Sequence, residues 1–343
     1  MKFVCILFLF IFILKNSFAN NLFETDEYEL QFESSNINLK KQEKINKIKI
    51  KSFNKLLKKI LIEDNFNEIK TNDINFVNKF ILNFKIKNEK IINNNYFSNI
   101  KINFNRDLIF NYLKSNKINF IDYNPDKFLI IIMDEDYLNN YLFSKKNKYY
   151  QYLINSKLSD YKKSFIIPDL DYNDRYIFNE FHFKNNKFEQ NKLLNKKYNT
   201  DYQILIHSIK INNFHNITIS LFHERNKYLI KNLKIKKINY DDLFKLVLSM
   251  SLNKWKEINQ INTAIISTLT CKVFINNLHE LKYIRNLMMN NQSINSFILK
   301  SIKLNQNLYE ISYFGSLDIL KKSLFRQRIH FENDQGNCSI KLV

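Results

Sequence analysis

Hydrophobic residues recur along the chain with two periods, and the switches between them mark the elements. Tyr28, Leu30 and Phe32 alternate with polar neighbours, as in a strand with one buried face. Past Ser34-Ser35-Asn36, which offers capping side chains, Ile45, Ile48, Phe53, Leu56, Leu57, Ile60 and Leu61 recur at helical spacing with lysines between them. A short helix near Ile74–Phe80 leads into Phe84–Ile92, then Asn93-Asn94-Asn95, then Ile100, Ile102 and Phe104. This predicts a hairpin, because asparagine tolerates the left-handed turn conformation. A helix on Leu108, Ile109, Tyr112 and Leu113 closes a first sheet-and-helix unit, residues 20–124, at the Asn124-Pro125 step.

A second unit, 125–262, opens on Phe128–Met133, apolar throughout and therefore a strand covered on both faces. A helix over Tyr149–Leu158, a short strand Phe165–Ile167 stopped by Pro168, and a helix near Glu189–Lys197 follow. Tyr202–Ile211 and Phe214–His223 are joined by Asn212-Asn213, so a two-residue hairpin places Ile206 opposite Ile219 and Ile204 opposite Leu221. Tyr228–Ile235 adds a strand, and Leu243, Leu246, Val247, Met250 and Trp255 line an amphipathic helix. The third unit, 263–343, reads as strand 271–275, helix 278–289, strands 297–304 and 308–314, helix 317–325 and strand 339–342. That is the β-α-β-β-α-β order of ferredoxin-like units. The fold class is α+β, with three small sheet-and-helix units in series behind a leader.

The leader follows from residues 1–19. Met1-Lys2, the apolar run Phe3–Leu14 and Ser17-Phe18-Ala19 have the layout of a secretory signal peptide cleaved after Ala19, which predicts a periplasmic protein. No later stretch is apolar for the ~18 residues a membrane-spanning helix needs, so no transmembrane segment is expected after cleavage. The mature chain keeps Cys271 and Cys338. Export favours a disulfide. The expected topology opposes it, because antiparallel first and last strands of the third unit would hold the two cysteines at opposite ends, over ~10 Å apart. No disulfide is therefore expected.

Composition removes whole classes of activity. Two glycines, Gly315 and Gly336, cannot build a phosphate-binding loop, a dinucleotide fingerprint or a nucleophile elbow. The formal charge is +20, yet all but six of the 53 basic residues are lysine, and Asn, Ile and Lys crowd the chain. Such usage matches an A/T-rich genome, and a nucleic-acid surface would use more arginine. No nucleic-acid partner is expected; an anionic lipid or glycan surface is the partner class the charge itself would suit.

With these segments in place, the mature chain resembles the exported proteobacterial family known as domain of unknown function 2066. The likeness lies in the leader, "IKINFNRDLIFNYLKSNKINF" before a proline and an apolar strand, "FIIPDLDYND", "DYQILIHSIKI", the helix ending in Trp255, and "YFGSLDILKKSL" followed by "NDQGNCSIKLV". Where family members often place Trp in the last strand, this chain has Cys338. The middle unit is also similar to α/β domains of periplasmic assembly proteins such as the N-terminal part of the Tol-system protein B, a likeness of fold alone. The resemblance implies export and brings no activity and no site residue.

Two acidic clusters are candidates for chemistry. Asp134, Glu135 and Asp136 follow the buried strand, where α/β folds place catalytic carboxylates. Asp169, Asp171 and Asn173, with Glu180 at the twelfth position, match the ligand spacing of a calcium loop. Its sixth position is Asp174 where a glycine is needed, so an acidic turn capping the next segment is the expectation, and no metal or other cofactor is assigned. The six histidines form no ligand pair, and His207 faces Thr218 in the expected hairpin. Cys271 has His279 as its one sequence-local base and reads as a half-buried strand cysteine, while Trp255 reads as core. The expectation is a non-catalytic factor that binds envelope proteins or assists their assembly. The alternative is a hydrolase using Asp134, Glu135 and Asp136, or Asp169 and Asp171, on an envelope polymer.

Overall fold

The computed structural model describes residues 22–156, 163–303, 306–334 and 337–343. The expected leader and its expected cleavage site at Ala19 lie outside the described residues. Among the described residues the fold is α+β, with eleven helices and three sheets in series along the chain. They form two compact units, one made of residues 22–123 with Ile261–Val343 and the other of Asn124–Gln260.

The first unit begins with β1 (Tyr28–Glu33) and α1 (Ile37–Ile60). Asn36 caps α1 by accepting from the Leu39 amide at 3.2 Å. One stripe of α1, Ile45, Phe53, Leu56, Leu57 and Ile60, is buried, as the periodicity requires. After the short helices α2 (Glu63–Ile69) and α3 (Ile74–Asn78) come β2 (Ile81–Ile92) and β3 (Asn95–Phe104). They turn through Asn93 at φ 53°, and the antiparallel sheet runs β1-β3-β2. Next, α4 (Arg106–Ser115) buries Ile109, Phe110 and Leu113 and leaves Leu108 exposed.

The third stretch belongs to this same compact unit. Phe314 and Ile319 pack into the α1–β3 core, Phe120 bridges to Ile261, and the Arg326 guanidinium lies 3.4 Å from the Tyr123 ring centre. Its elements are β9 (Ile266–Phe274), α10 (Leu278–Asn290), β10 (Ile294–Lys303), β11 (Gln306–Phe314), α11 (Leu317–Arg326), β12 (Ile329–Asp334) and β13 (Asn337–Leu342). Gly315 precedes the α11 cap Ser316 at φ 78°, and a Cβ there would meet the Asn262 amide nitrogen at 3.2 Å, so both backbone and space call for glycine.

The β-α-β-β-α-β order is present, with one strand more than the sequence reading expected. β12 follows α11, and β13 folds back on it as a hairpin, so the sheet runs β10-β11-β9-β13-β12. The reversal makes β13 parallel to β9 and sets Cys338 opposite Cys271. Their Cα atoms are 4.4 Å apart and the two cysteines form a disulfide. The expectation of two unpaired thiols is therefore corrected. It assumed that the last strand followed α11 directly and ran antiparallel to the first.

The second unit holds β4 (Phe128–Glu135), β5 (Phe165–Ile166), β6 (Tyr202–Ile211), β7 (Phe214–His223) and β8 (Asn226–Ile235), in the order β5-β4-β6-β7-β8. β4 is parallel to β5 and β6, and β6–β8 form an antiparallel meander. Ile206 pairs with Ile219 and Ile204 with Leu221, the register read from the sequence. On one sheet face lie α5 (Lys148–Asn155) and α9 (Tyr240–Asn259), joined by the Tyr152 and Phe244 rings stacked at 5.8 Å. On the other lie α6 (Tyr172–Ile177), α7 (Glu180–Lys184) and α8 (Phe188–Tyr198), with Gln203 bonded to Asn191 and Asn195 of α8. Both faces being covered explains why Phe128–Met133 are all buried.

Candidate functional site

Successive residues of a strand face opposite sides of the sheet, so Asp134 and Glu135, at the C-terminal end of β4, diverge. Glu135 pairs in register with Ile209 and so shares a face with His207. His207 Nε2 lies 2.9 Å from Glu135 Oε2, and Lys184 Nζ donates to Glu135 Oε1 at 2.7 Å and to Glu180 Oε1 at 2.6 Å. Burial pushes the Glu135 carboxyl up, but the hydrogen bonds from Lys184 and His207, with their charges, hold it below the usual carboxylate range.

Asp134 is across from Ser208 on the opposite face, where the Tyr149 hydroxyl lies 2.7 Å from Ser208 Oγ. Burial raises the Asp134 carboxyl, with Ser208's hydrogen bond acting against the rise. His215 is held low, first by burial, against the pull of the Asp134 charge. Asp136 turns outward and accepts from the amides of Leu138 at 3.0 Å and Asn139 at 2.9 Å, which lowers its carboxyl despite some desolvation. The three acids thus occupy three environments: an ion-paired network, a semi-buried relay and a turn cap. Acid–base cleavage of a glycosidic bond needs two carboxyl groups facing each other across the scissile atoms, and Asp134 and Glu135 lie on opposite sides of the sheet.

The Asp169–Glu180 stretch is organised around an ammonium group. Lys197 Nζ, from α8, sits 2.7 Å from Asp174 Oδ1, 3.3 Å from Asp169 Oδ2 and 3.4 Å from Asp171 Oδ1. Desolvation lowers the Lys197 ammonium, but the bonds to Asp174 and Tyr198 dominate and hold its pKa well above the usual lysine range. The Asp174 side chain is fully buried; its Oδ1 accepts from Tyr198 Oη at 2.6 Å and its Oδ2 from the Leu170 amide at 2.9 Å. That last bond fixes Leu170 at φ 58°, a left-handed conformation a leucine rarely adopts. Asp171 caps α6 through the Asp174 amide at 2.8 Å, which lowers its own carboxyl. Asn173 is exposed on α6, and Glu180 is turned to Lys184. The four candidate calcium ligands therefore do not converge. Among the described residues no group of three or more His, Cys, Asp or Glu side chains could hold a metal ion.

Other candidates settle into structure. Cys271 is oxidised to a disulfide, so it offers no thiol to His279. His207 pairs across the hairpin with Thr218, as expected. Trp255 is core. Sequence reasoning missed Lys184, Lys197, Tyr198 and Ser208 as partners of the acids; the one available signal was strand parity, which puts His207 on the face of Glu135. Among the described residues no helix is long and apolar enough to cross a membrane. No protein-family model matches the chain, and no curated protein matches it in sequence.

Proposed function

We propose that the chain is an exported envelope protein that binds other polypeptides and performs no chemistry on them. The observation that carries this reading is the condition of the sheet edges. β10 is an outer strand with Ile298, Leu299 and Ile302 exposed at 48%, 43% and 74%, and the outer strands β2 and β8 expose Leu82, Ile91, Ile92 and Leu229. Folded proteins protect such edges because unpaired backbone groups flanked by apolar side chains recruit a further strand, and several binding modules use that pairing for recognition. Of the acids that would serve a hydrolase, Glu135 is engaged by Lys184 and His207, Asp169 and Asp171 by Lys197, and Asp136 by backbone amides. The buried disulfide suits an oxidising compartment, in keeping with the leader and the family resemblance.

The test is crosslinking of the tagged full chain in intact cells, followed by recovery from the periplasmic fraction. The expected result is a chain beginning at Asn20, in covalent complexes with extracytoplasmic polypeptides. Retention of Met1 in the cytoplasm, or cleavage of isolated envelope polymer that is abolished by Glu135→Gln, would overturn it.

A further inference from the structure

Resting on that binding role, we infer that β8 is the accepting edge and that its partner is an extended segment alternating acidic and apolar residues, which adds to β8 as a sixth strand. Among the described residues β8 pairs only with β7, so one side of a ten-residue strand has backbone groups without a neighbouring strand there. Between Glu224 and Asp241 the chain carries Arg225, Lys227, Lys231, Lys234, Lys236 and Lys237 and no acidic residue. Among the described residues no ion pair involves any of these five lysines: Lys227 bonds to Asn186 Oδ1 at 2.8 Å and Lys234 lies over the Phe214 ring at 5.0 Å.

The other two long edges differ in degree. In β2, Lys87 is paired with Glu27 and Glu89 with Lys41, and in β10 Lys300 is paired with Glu310, while Lys85, Lys90 and Lys303 of those strands are in no ion pair among the described residues. β8 and the turn after it carry the larger run, five lysines without an ion pair and no acidic residue among them.

The side chains divide between the faces. Tyr228, Leu233 and Ile235, opposite Leu221, Ile217 and His215, lie on one side of the sheet together with Lys231, opposite Ile219; Lys227 and Lys234, opposite Phe222 and Asn216, lie on the other together with Leu229, opposite Ser220. An added strand alternating apolar and acidic residues would set its apolar side chains beside Leu233 and Ile235 and its carboxylates beside Lys227 and Lys234. Lysine on an edge discourages pairing with a like-charged strand, including β8 of a second copy. The same lysines favour an acidic strand, since opposite charges across a strand pair attract and like charges repel. The edge thereby selects its partner by sign of charge.

The experiment uses the full-length oxidised protein and a labelled peptide of alternating Glu and Val, as long as β8. Controls are its Lys–Val counterpart and a version N-methylated along both backbone edges. Binding is followed by fluorescence anisotropy at low and high salt, and the contact region by hydrogen exchange. The Glu–Val peptide should bind at least about tenfold more tightly than the Lys–Val peptide, as a few cross-strand charge pairs supply. It should weaken with salt, lose binding when N-methylated, and slow amide exchange in Asn226–Ile235. Lys231→Glu with Lys234→Glu, both exposed positions, should reverse the preference while leaving the melting temperature unchanged. Protection of β2 or β10 instead would overturn this edge and leave the binding role standing. Absence of peptide binding by a chain that still crosslinks to envelope polypeptides, or attachment through these lysines to phosphatidylglycerol vesicles alone, would overturn the inference by itself.

Discussion

Replacing both Cys271 and Cys338 with alanine should destabilise the unit they staple, and the size of the effect follows from topology. The bridge spans 67 residues of chain. Closing a loop of that length in the unfolded chain is worth about 4 kcal/mol in the chain-entropy account. The cross-link joins β9, in the middle of the sheet, to β13, and both cysteines are buried among Val273, Ile284, Ile311 and Ile340. Without the bridge, β13 keeps its hydrogen bonds to β9 and β12, so the native sheet persists and the loss falls on the equilibrium. For a unit of roughly 200 residues, 4 kcal/mol corresponds to a fall of about 10 °C in melting temperature. The assay is thermal and chemical denaturation of wild type and the double variant, with peptide mapping of the purified protein under non-reducing conditions. One linked Cys271–Cys338 peptide is expected. Two free thiols, or a double variant that melts with the wild type, would refute both the bridge and the parallel β9–β13 pairing behind it.

Three further outcomes are expected. Asp174→Ala strips a buried carboxylate from Lys197, Tyr198 and the Leu170 amide and should cost about 3 kcal/mol in denaturant titration; a change within about 0.5 kcal/mol, typical of neutral surface sites, would show that Lys197 does not depend on it. The acids of β4 should shape the pH profile in opposite senses. Glu135 is held low, so it contributes stability above its ordinary value of 4.5 that is lost as pH falls through its folded pKa. Asp134 is held high, so ionising it costs stability as pH rises above 3.8. Glu135→Gln should flatten the acid limb and Asp134→Asn should gain on wild type toward neutral pH; unaltered profiles would contradict the local environments. Finally, with Lys197 among Asp169, Asp171 and Asp174, calcium should leave the melting temperature unchanged, and a micromolar transition removed by Asp171→Ala would count against that arrangement.

What could be read from the sequence was whatever depends on neighbours in the chain. The cap at Asn36, the turns at Asn93 and Asn212, the buried stripe of α1 and the Ile206–Ile219 register all follow from period, turn chemistry and hairpin length. The uniform apolarity of Phe128–Met133 announced helices on both faces of β4. Partnerships made across the fold were not legible. Ile329–Asp334 is a six-residue alternating stretch whose local preference says nothing of which strand it joins, yet its hairpin with β13 reverses the last strand and brings the cysteines together. Lys184 and Lys197 look like any other lysines on helical faces until α7 and α8 pack against the sheet and aim them at Glu135 and Asp174. The stretches on either side of the second unit share a compact unit for the same kind of reason: Phe314 is one more apolar strand residue locally, and only packing puts it in the core of α1 and β3. Local periodicity says which side of an element is apolar; what it packs against is decided by long-range burial and pairing, where several partners satisfy the same local pattern and only the whole chain can choose among them.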